Sequence, residues 1–227
     1  MLRHPLARRI LRVSIKVALC LGLFASLWVA AYRFINPPIT NLMVMEYFRV
    51  GSLKADWRPL EEISPHLAKA VVASEDQLFC QHSGFHLREI RAALLDETRR
   101  RGGSTITQQT AKNAFLWPDA SWLRKGVEAG FTILVELFWP KERILEVYLN
   151  IAEFGSGVFG AEAAAQHIYG RSAAKLNRDQ SIRLAAVLPS PRRRSPRSVS
   201  AKRVATISND MRYLADTDHY DCLPKRE

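Results

Sequence analysis

Cysteine is scarce in this chain: three residues, Cys20, Cys80 and Cys222, in 227. Their spacing pairs nothing, and no Cys/His group has metal-ligand spacing. A disulfide framework or a structural zinc centre is therefore not what organises the fold. Two readings of Cys80 are open: a bridge to Cys222 in an oxidising compartment, or a small buried apolar residue. The second is expected. No glycine-lysine-serine/threonine loop is present to cradle a nucleotide. No alternating run longer than a few residues marks a β-strand, and no internal repeat is evident, so the soluble part should be mostly α-helical. Acids are missing from Met1 to Lys16, where Arg3, Arg8, Arg9, Arg12 and Lys16 gather, and charge of either sign is missing from Val17 to Tyr32.

That uncharged run has a direct reading. Extended back to Val13, with Lys16 snorkelling outward, it gives about 20 residues, enough to cross a bilayer as a helix. The basic flank should stay in the cytoplasm and place everything after Arg33 outside it. A cleaved signal peptide is the competing reading. The long apolar stretch and the lack of a clean small-x-small site favour a retained anchor. The whole chain carries a formal charge of +11 and an isoelectric point near 10.0. A polyanionic partner fits that balance: nucleic acid, an anionic membrane face or a phosphorylated substrate. An exported domain argues against nucleic acid. The segments expected are a basic tail (1–12), an anchor (13–33), a membrane-proximal linker (34–59), one helical domain (60–215) and a tail (216–227).

Helix boundaries are written in the punctuation. Ser64-Pro65 starts a helix whose buried face runs through Leu67, Ala70 and Val71 and which ends near Glu75-Asp76. His86 to Arg100 has an amphipathic pattern closed by Gly102. Thr105 to Asn113 should be helical, with Thr105, Gln108 and Lys112 on one face. Ser121 caps the next helix and Pro140 ends it. Lys141–Asn150 and Ala161–Tyr169 are helical, with a glycine-rich loop from Phe154 to Gly160 between them. Asn177 caps a helix running to Leu188, and Ser200 to Ala215 is the last. The apolar run FTILVELFW reads as a core helix or as part of a membrane-inserted lobe. Arg192–Arg203 reads as a solvated basic loop or as a contact for anionic head groups.

The chemistry concentrates between Ala70 and Asn113. Glu75 and Asp76 follow a buried-looking approach, and desolvation together with a helix C-terminus raises a carboxylate pKa toward neutrality. Such a group can act as a general base. Phe79, His82 and Gly84 complete E-D-x-x-F-x-x-H-x-G. Then comes GGSTITQQTAKN, in which Ser104, Thr105, Gln108, Gln109, Lys112 and Asn113 offer hydroxyls, amides and a positive charge. Arg124, Lys125 and Glu128 form R-K-x-x-E. Taken alone, that spacing describes a helix-surface ion pair worth about 0.3 kcal/mol.

In this order, these elements resemble the glycosyltransferase domain that polymerises peptidoglycan, shared by class A penicillin-binding proteins and the monofunctional peptidoglycan transglycosylases. KERILEVYLN, GSGVFGAEAAAQHIYG and LAAVLPSP extend the likeness from Leu60 to Pro196. A chain this short leaves no room for a transpeptidase domain, which points to the monofunctional, membrane-anchored form. The resemblance implies a mainly α, lysozyme-like, two-lobed fold behind one N-terminal transmembrane helix. It implies polymerisation of lipid II into β-1,4 glycan strands, with inversion and release of undecaprenyl diphosphate. By the same likeness Glu75 is the general base and Glu128 the second catalytic glutamate. Asp76, Phe79, His82, Gly84, Ser104, Thr105, Gln108, Gln109, Lys112, Asn113, Arg124 and Lys125 shape or contact the substrate. No tightly bound cofactor is implied; Mg²⁺ or Mn²⁺ at the diphosphate, reached through Glu128, is compatible with it. Expected partners are lipid II, the growing lipid-linked chain, membrane lipids and other cell-wall synthesis or division proteins, and not nucleic acid. The expected location is the bacterial inner membrane, single-pass, with the catalytic domain in the periplasm. In one respect the sequence departs from some relatives: the loop LWPDASWL lacks the arginine they carry before the R-K pair. A lysozyme-like hydrolase is the alternative, but hydrolysis has no diphosphate for the cations to serve.

Overall fold

The computed structural model describes residues 5–86 and 103–224. The helix expected from His86 to Arg100, with its stop at Gly102, lies outside the described residues apart from His86.

Helix α1 spans Pro5–Tyr32 and is the one helix, among the described residues, long and apolar enough to cross a membrane. Its outer length exposes Leu19, Leu21, Leu23 and Leu27, the surface a bilayer would cover. Its last turns dock onto the domain. Val29 is buried, and Trp139 Nε1 donates to the Val29 carbonyl at 2.7 Å. Trp28 packs edge-on against Phe115 and Phe131, and Tyr32 stacks on Phe115. Arg143 donates to the carbonyls of Tyr32 and Ile35. The anchor therefore passes into the globular part through aromatic packing and satisfied backbone acceptors rather than through a free tether.

Helix α2 (Asn41–Val50), capped by Thr40 and closed by Gly51, follows the Pro37-Pro38 break. Helix α3 (Pro65–Glu75) begins with proline at its first turn. The Ser64 hydroxyl does not cap it as expected; it donates to the Leu176 carbonyl at 2.8 Å. Six of its residues are buried, and it packs against α8 (Arg178–Ala185) and α9 (Ala201–Asp216). Helix α4 (Ile106–Phe115) packs against α5 (Trp122–Phe138) and α6 (Lys141–Ile151). Helix α7 (Ala161–Tyr169) is closed by Gly170 in the left-handed region. Asn177 caps α8 as expected, but α8 ends at Ala185 and the chain reaches Leu188 in turns.

The stretch expected to be a glycine-rich loop is a small sheet instead. Strands β2 (Glu153–Gly155) and β3 (Val158–Phe159) pair antiparallel, and β1 (Lys54–Ala55) joins β3 in parallel, giving the order β1-β3-β2. Strands of two or three residues are too short to show alternation, so sequence periodicity could not reveal them. Gly157 is required there: its φ is +69°, and a Cβ would sit 2.9 Å from the Ser52 carbonyl oxygen.

Cys80 is not the lone apolar residue expected. Cys80 and Cys222 form a disulfide, with Cα atoms 5.4 Å apart across 142 residues of sequence. Cys80 is half-buried for that reason rather than as a lone apolar residue. Cys20 stays free on the exposed face of α1.

Candidate active site

Glu75 is the last residue of α3, and the helix stops because Asp76 leaves helical geometry. One carboxylate oxygen, Oε2, accepts from Gln109 Nε2 at 3.1 Å. The Gln109 amide is fixed from its other side, where the buried Tyr148 hydroxyl donates to Gln109 Oε1 at 3.1 Å. The other oxygen, Glu75 Oε1, is sealed from solvent with no hydrogen-bond partner among the described residues. Burial pushes the Glu75 carboxyl above its ordinary value, against the lowering effect of Gln109 and of the Arg203 charge. The Tyr148 hydroxyl is raised well above the tyrosine range, by its own burial first and then by the Glu75 and Asp76 charges. It stays a neutral donor.

Asp76 works differently. Its buried carboxylate accepts from His82 Nε2 at 2.9 Å, pairs with His86 Nε2 at 2.9 Å, and accepts the Ile106 backbone N–H at 2.9 Å. Desolvation opposes ionisation, but these donors win and hold its pKa below the usual value. Asp76 thereby ties the end of α3 to the first turn of α4. His82 Nδ1 accepts the Gly84 N–H at 2.9 Å, so in neutral His82 the proton lies on Nε2, facing Asp76. Asp76, His82 and His86 are close enough to surround a cation. That tautomer does not suit one, since the nitrogen facing the cluster already carries hydrogen. Phe79 is fully buried, with Lys141 Nζ 4.8 Å above its ring. Gly84 has φ +88°, and a Cβ there would meet Thr132 Cγ2 at 2.8 Å. Its role is close approach of the backbone to α5.

Thr105 and Gln108 form a capping box: the Thr105 hydroxyl oxygen accepts the Gln108 N–H, and Gln108 Oε1 accepts the Thr105 N–H. Thr105 is the N-cap rather than part of a shared helical face with Gln108 and Lys112, and its hydroxyl donates to the Gly84 carbonyl at 2.7 Å. Both side chains are buried and serve the start of α4. The Ser104 carbonyl accepts from Gln109. Lys112 and Asn113 are half-buried one turn further on. Burial lowers the Lys112 pKa, and the Arg124 and Lys125 charges lower it further, against Glu128.

Arg124 and Glu128 are not a surface pair. They are 8% and 2% exposed. Arg124 Nη1 and Lys125 Nζ donate to different oxygens of the Glu128 carboxylate, and Arg124 Nε also donates to the Asp119 carbonyl. Glu128 therefore holds two cations in place beside Lys112. With both oxygens occupied by nitrogen donors and three positive charges around it, Glu128 does not fit a resident divalent cation.

Sequence reasoning did not anticipate Tyr148 or Arg203. Tyr148 shows inward periodicity within KERILEVYLN, but periodicity does not name the residue it meets. Arg203 carried no signal beyond membership of a basic run.

A mainly helical domain that holds a desolvated carboxylate at Glu75 and gathers Lys112, Arg124 and Lys125 about Glu128 carries one group able to take a proton and others able to receive negative charge. That is the class of site needed for glycosyl transfer with an anionic leaving group. The chain belongs to the transglycosylase family, whose model matches residues 43–214, and the expected lysozyme-like, mainly helical fold is the one found. It is similar to proteins named biosynthetic peptidoglycan transglycosylase. The one from Caulobacter vibrioides is 54% identical over 189 residues, covering 81% of this chain and 82% of the relative. The one from Jannaschia sp. is 48% identical over 206 residues, covering 89% and 86%. The one from Xanthomonas campestris is 48% identical over 221 residues, covering 92% and 90%.

Proposed function

We propose that this membrane-anchored glycosyltransferase polymerises lipid II into β-1,4 glycan strands of peptidoglycan, on the periplasmic side of the bacterial inner membrane. The observation that carries the reading is Glu75: a half-buried carboxylate with one oxygen held by Gln109 and the other sealed from solvent and unpartnered among the described residues. Glu75 takes the proton of the acceptor sugar hydroxyl. The acceptor oxygen bonds to the anomeric carbon of the lipid-linked donor while the bond from that carbon to the diphosphate oxygen breaks. Attack from the face opposite the leaving group inverts the carbon. Lys112, Arg124 and Lys125 receive the diphosphate charge. Fixed cations aimed at developing charge lower the barrier because they need no reorganisation at the moment of reaction. Glu128 acts by holding Arg124 and Lys125, and no protein cage for Mg²⁺ or Mn²⁺ is needed for these steps.

The α1 anchor suits a substrate confined to the bilayer by its own lipid tail. Exposed Phe34, Ile35, Phe48, Trp122 and Leu123 are apolar groups a membrane would take up. Incubating the full chain in detergent with lipid II, and separately with finished murein, tests the reading. Glycan polymer from lipid II supports it. Net loss of murein without polymer from lipid II would replace it with the hydrolase.

A further inference from the structure

The Gln109 amide has two unlike ends. Turned over about its last bond it would fill nearly the same space, yet it would present an oxygen to Glu75 in place of an N–H. Three groups around it decide between the two orientations. The Ser104 carbonyl, which can only accept, faces Nε2 at 3.4 Å. Glu75 Oε2 faces the same nitrogen at 3.1 Å. At the other end the Tyr148 hydroxyl donates to Oε1 at 3.1 Å. Tyr148 is 1% exposed, and its hydroxyl makes no second hydrogen bond among the described residues. With the amide turned over, the Tyr148 oxygen would have to accept instead. Its own hydrogen would then be buried without an acceptor, which costs the desolvation of that group with nothing in return. Tyr148 keeps this hydrogen throughout the working range of pH, because burial first, and then the Glu75 and Asp76 charges, raise its hydroxyl well above the tyrosine range.

The orientation of the amide bears on the two carboxylate oxygens. An N–H aimed at Oε2 stabilises negative charge there, and a proton on Oε2 would weaken that bond. Oε1 is then the more basic oxygen, and it is the one sealed from solvent with no partner among the described residues. An amide turned over would pair its oxygen with a carboxyl protonated on Oε2, which can take no further proton. We infer that Tyr148 is a positioning residue for the proton transfer: its hydroxyl fixes which end of the Gln109 amide faces Glu75, and so reserves Oε1 for the acceptor proton. This rests on the reading of Glu75 as base. The acceptor proton passes to Oε1, the electron pair of the acceptor oxygen forms the bond to the anomeric carbon, and the diphosphate departs with the pair of the bond that breaks. Tyr148 acts through Gln109. The other groups that act on the Glu75 carboxyl are Arg203 from α9, Ser74 in α3 and Asp76, which the two histidines and the Ile106 N–H hold. None of them is bonded to the Tyr148 hydroxyl among the described residues.

The test uses the full chain in detergent with lipid II. Tyr148→Phe removes the hydroxyl and keeps the ring. It should lower kcat about fivefold with KM little changed. The acid limb of the pH–rate profile should move up by about 0.7 in pH, because an amide released at one end can turn its oxygen to Glu75 and favour the protonated carboxyl. In a Gln109→Leu background the same change should cost nothing further, since the amide through which Tyr148 acts has gone. A tyrosine that served only to pack α6 would lower the unfolding temperature in both backgrounds and leave the pH profile in place. A second arm needs no turnover. Infrared spectra taken with and without Glu75→Gln isolate the carboxyl band of Glu75, and its titration midpoint should rise in Tyr148→Phe. An unmoved midpoint would overturn the inference, and so would a further loss of kcat of the same size in the Gln109→Leu background. If Glu75→Gln polymerises lipid II at the wild-type rate, the reading of Glu75 as base fails by itself, and the infrared midpoint alone decides whether Tyr148 sets the amide.

Discussion

Gln109 Nε2 donates to Glu75 Oε2 at 3.1 Å, across 34 residues of sequence, while Tyr148 holds the same amide from behind. The three residues come from α4, α3 and α6, so the orientation of the carboxylate is set by packing among three helices. One oxygen is positioned and the other has no partner among the described residues; in the proposed mechanism it meets the acceptor hydroxyl. Glu75→Gln should therefore remove the base and leave the packing. Polymerisation of lipid II is expected to fall by about 10²–10⁴-fold with an unchanged circular dichroism spectrum. A wild-type rate in that variant would remove Glu75 from the mechanism.

Gln109 acts through Glu75, as a positioning residue. Gln109→Leu keeps the volume and loses the amide contacts with Glu75, Tyr148 and Ser104. It should lower kcat by about tenfold with little change in KM, and shift the acid limb of the pH–rate profile upward, because Gln109 favours the ionised carboxylate. Gln109→Glu should fail as a rescue, since it sets a second carboxyl against Glu75. A Gln109→Leu profile that overlays the wild type would show that the amide has no bearing on the base.

Burial sets the direction of the pH dependence. Glu75 is raised above 4.5 by burial and Lys112 is lowered below 10.5 by burial. The proposed mechanism needs the first ionised and the second protonated, so the bell should be narrower than ordinary glutamate and lysine would give, with its acid limb above 4.5 and its alkaline limb below 10.5. The same shift affects stability. The folded state holds the Glu75 proton more tightly than the unfolded state does. Glu75 therefore disfavours folding increasingly as pH rises from 4.5 through its folded value. Glu75→Gln lacks this loss, so its unfolding temperature should match the wild type in acid and exceed it near neutrality. Parallel melting curves from pH 4 to 8 would contradict the burial of the carboxyl.

Glu128 should be the residue whose loss harms structure and rate together. Removing its charge leaves the buried Arg124 uncompensated beside Lys112 and Lys125. Glu128→Gln is expected to destabilise the domain by about 3 kcal/mol, read from urea midpoints, and to lower kcat as well. Lys112→Ala should differ: kcat falls by about 10²–10³-fold, with stability held or improved, since a desolvated cation has gone. Equal urea midpoints for Glu128→Gln and wild type would mean that the cation clamp is not structural.

What the sequence disclosed was whatever is written locally. Ser121, Asn177 and Ser200 announce helix starts because a side-chain oxygen can accept the orphan N–H groups of the turn that follows. Pro65 and Gly170 mark boundaries through their backbone restrictions. The anchor shows as sixteen uncharged residues from Val17 to Tyr32 beside a one-sided charge. Glu75, Asp76, Lys112, Arg124 and Glu128 could be nominated by motif, and Glu75 by its apolar approach. What stayed hidden depends on contacts between distant segments. Thr105 and Gln108 have the composition of substrate-binding residues, yet the capping box consumes them. The Arg124–Glu128 spacing is the same on a surface or in an interior, and only the packing of α4 on α5 buries it. Arg203 is one basic residue among many until α9 lies against α3.

The disulfide was the least legible feature. Cys80 lies five positions beyond Glu75, in the turn held by Asp76 and His82, and Cys222 lies beyond α9 near the end of the described chain. Nothing local pairs them, because their approach requires α3 and α9 to be packed first. The bridge closes a long loop and also pins the tail to the turn beside the base. Such bridges typically contribute about 2–4 kcal/mol, chiefly by restricting the unfolded chain. Protein made in an oxidising compartment and denatured without reductant should show one reactive thiol, Cys20, rising to three on reduction. Cys222→Ser should lower the unfolding temperature by about 5–15 °C. Asp76, His82 and Phe79 hold the turn independently, so its kcat well below the melting point should stay close to wild type. Three reactive thiols before reduction would show the bridge absent. A collapse of kcat in Cys222→Ser at low temperature would mean that the tail, and not Asp76, sets the position of Glu75.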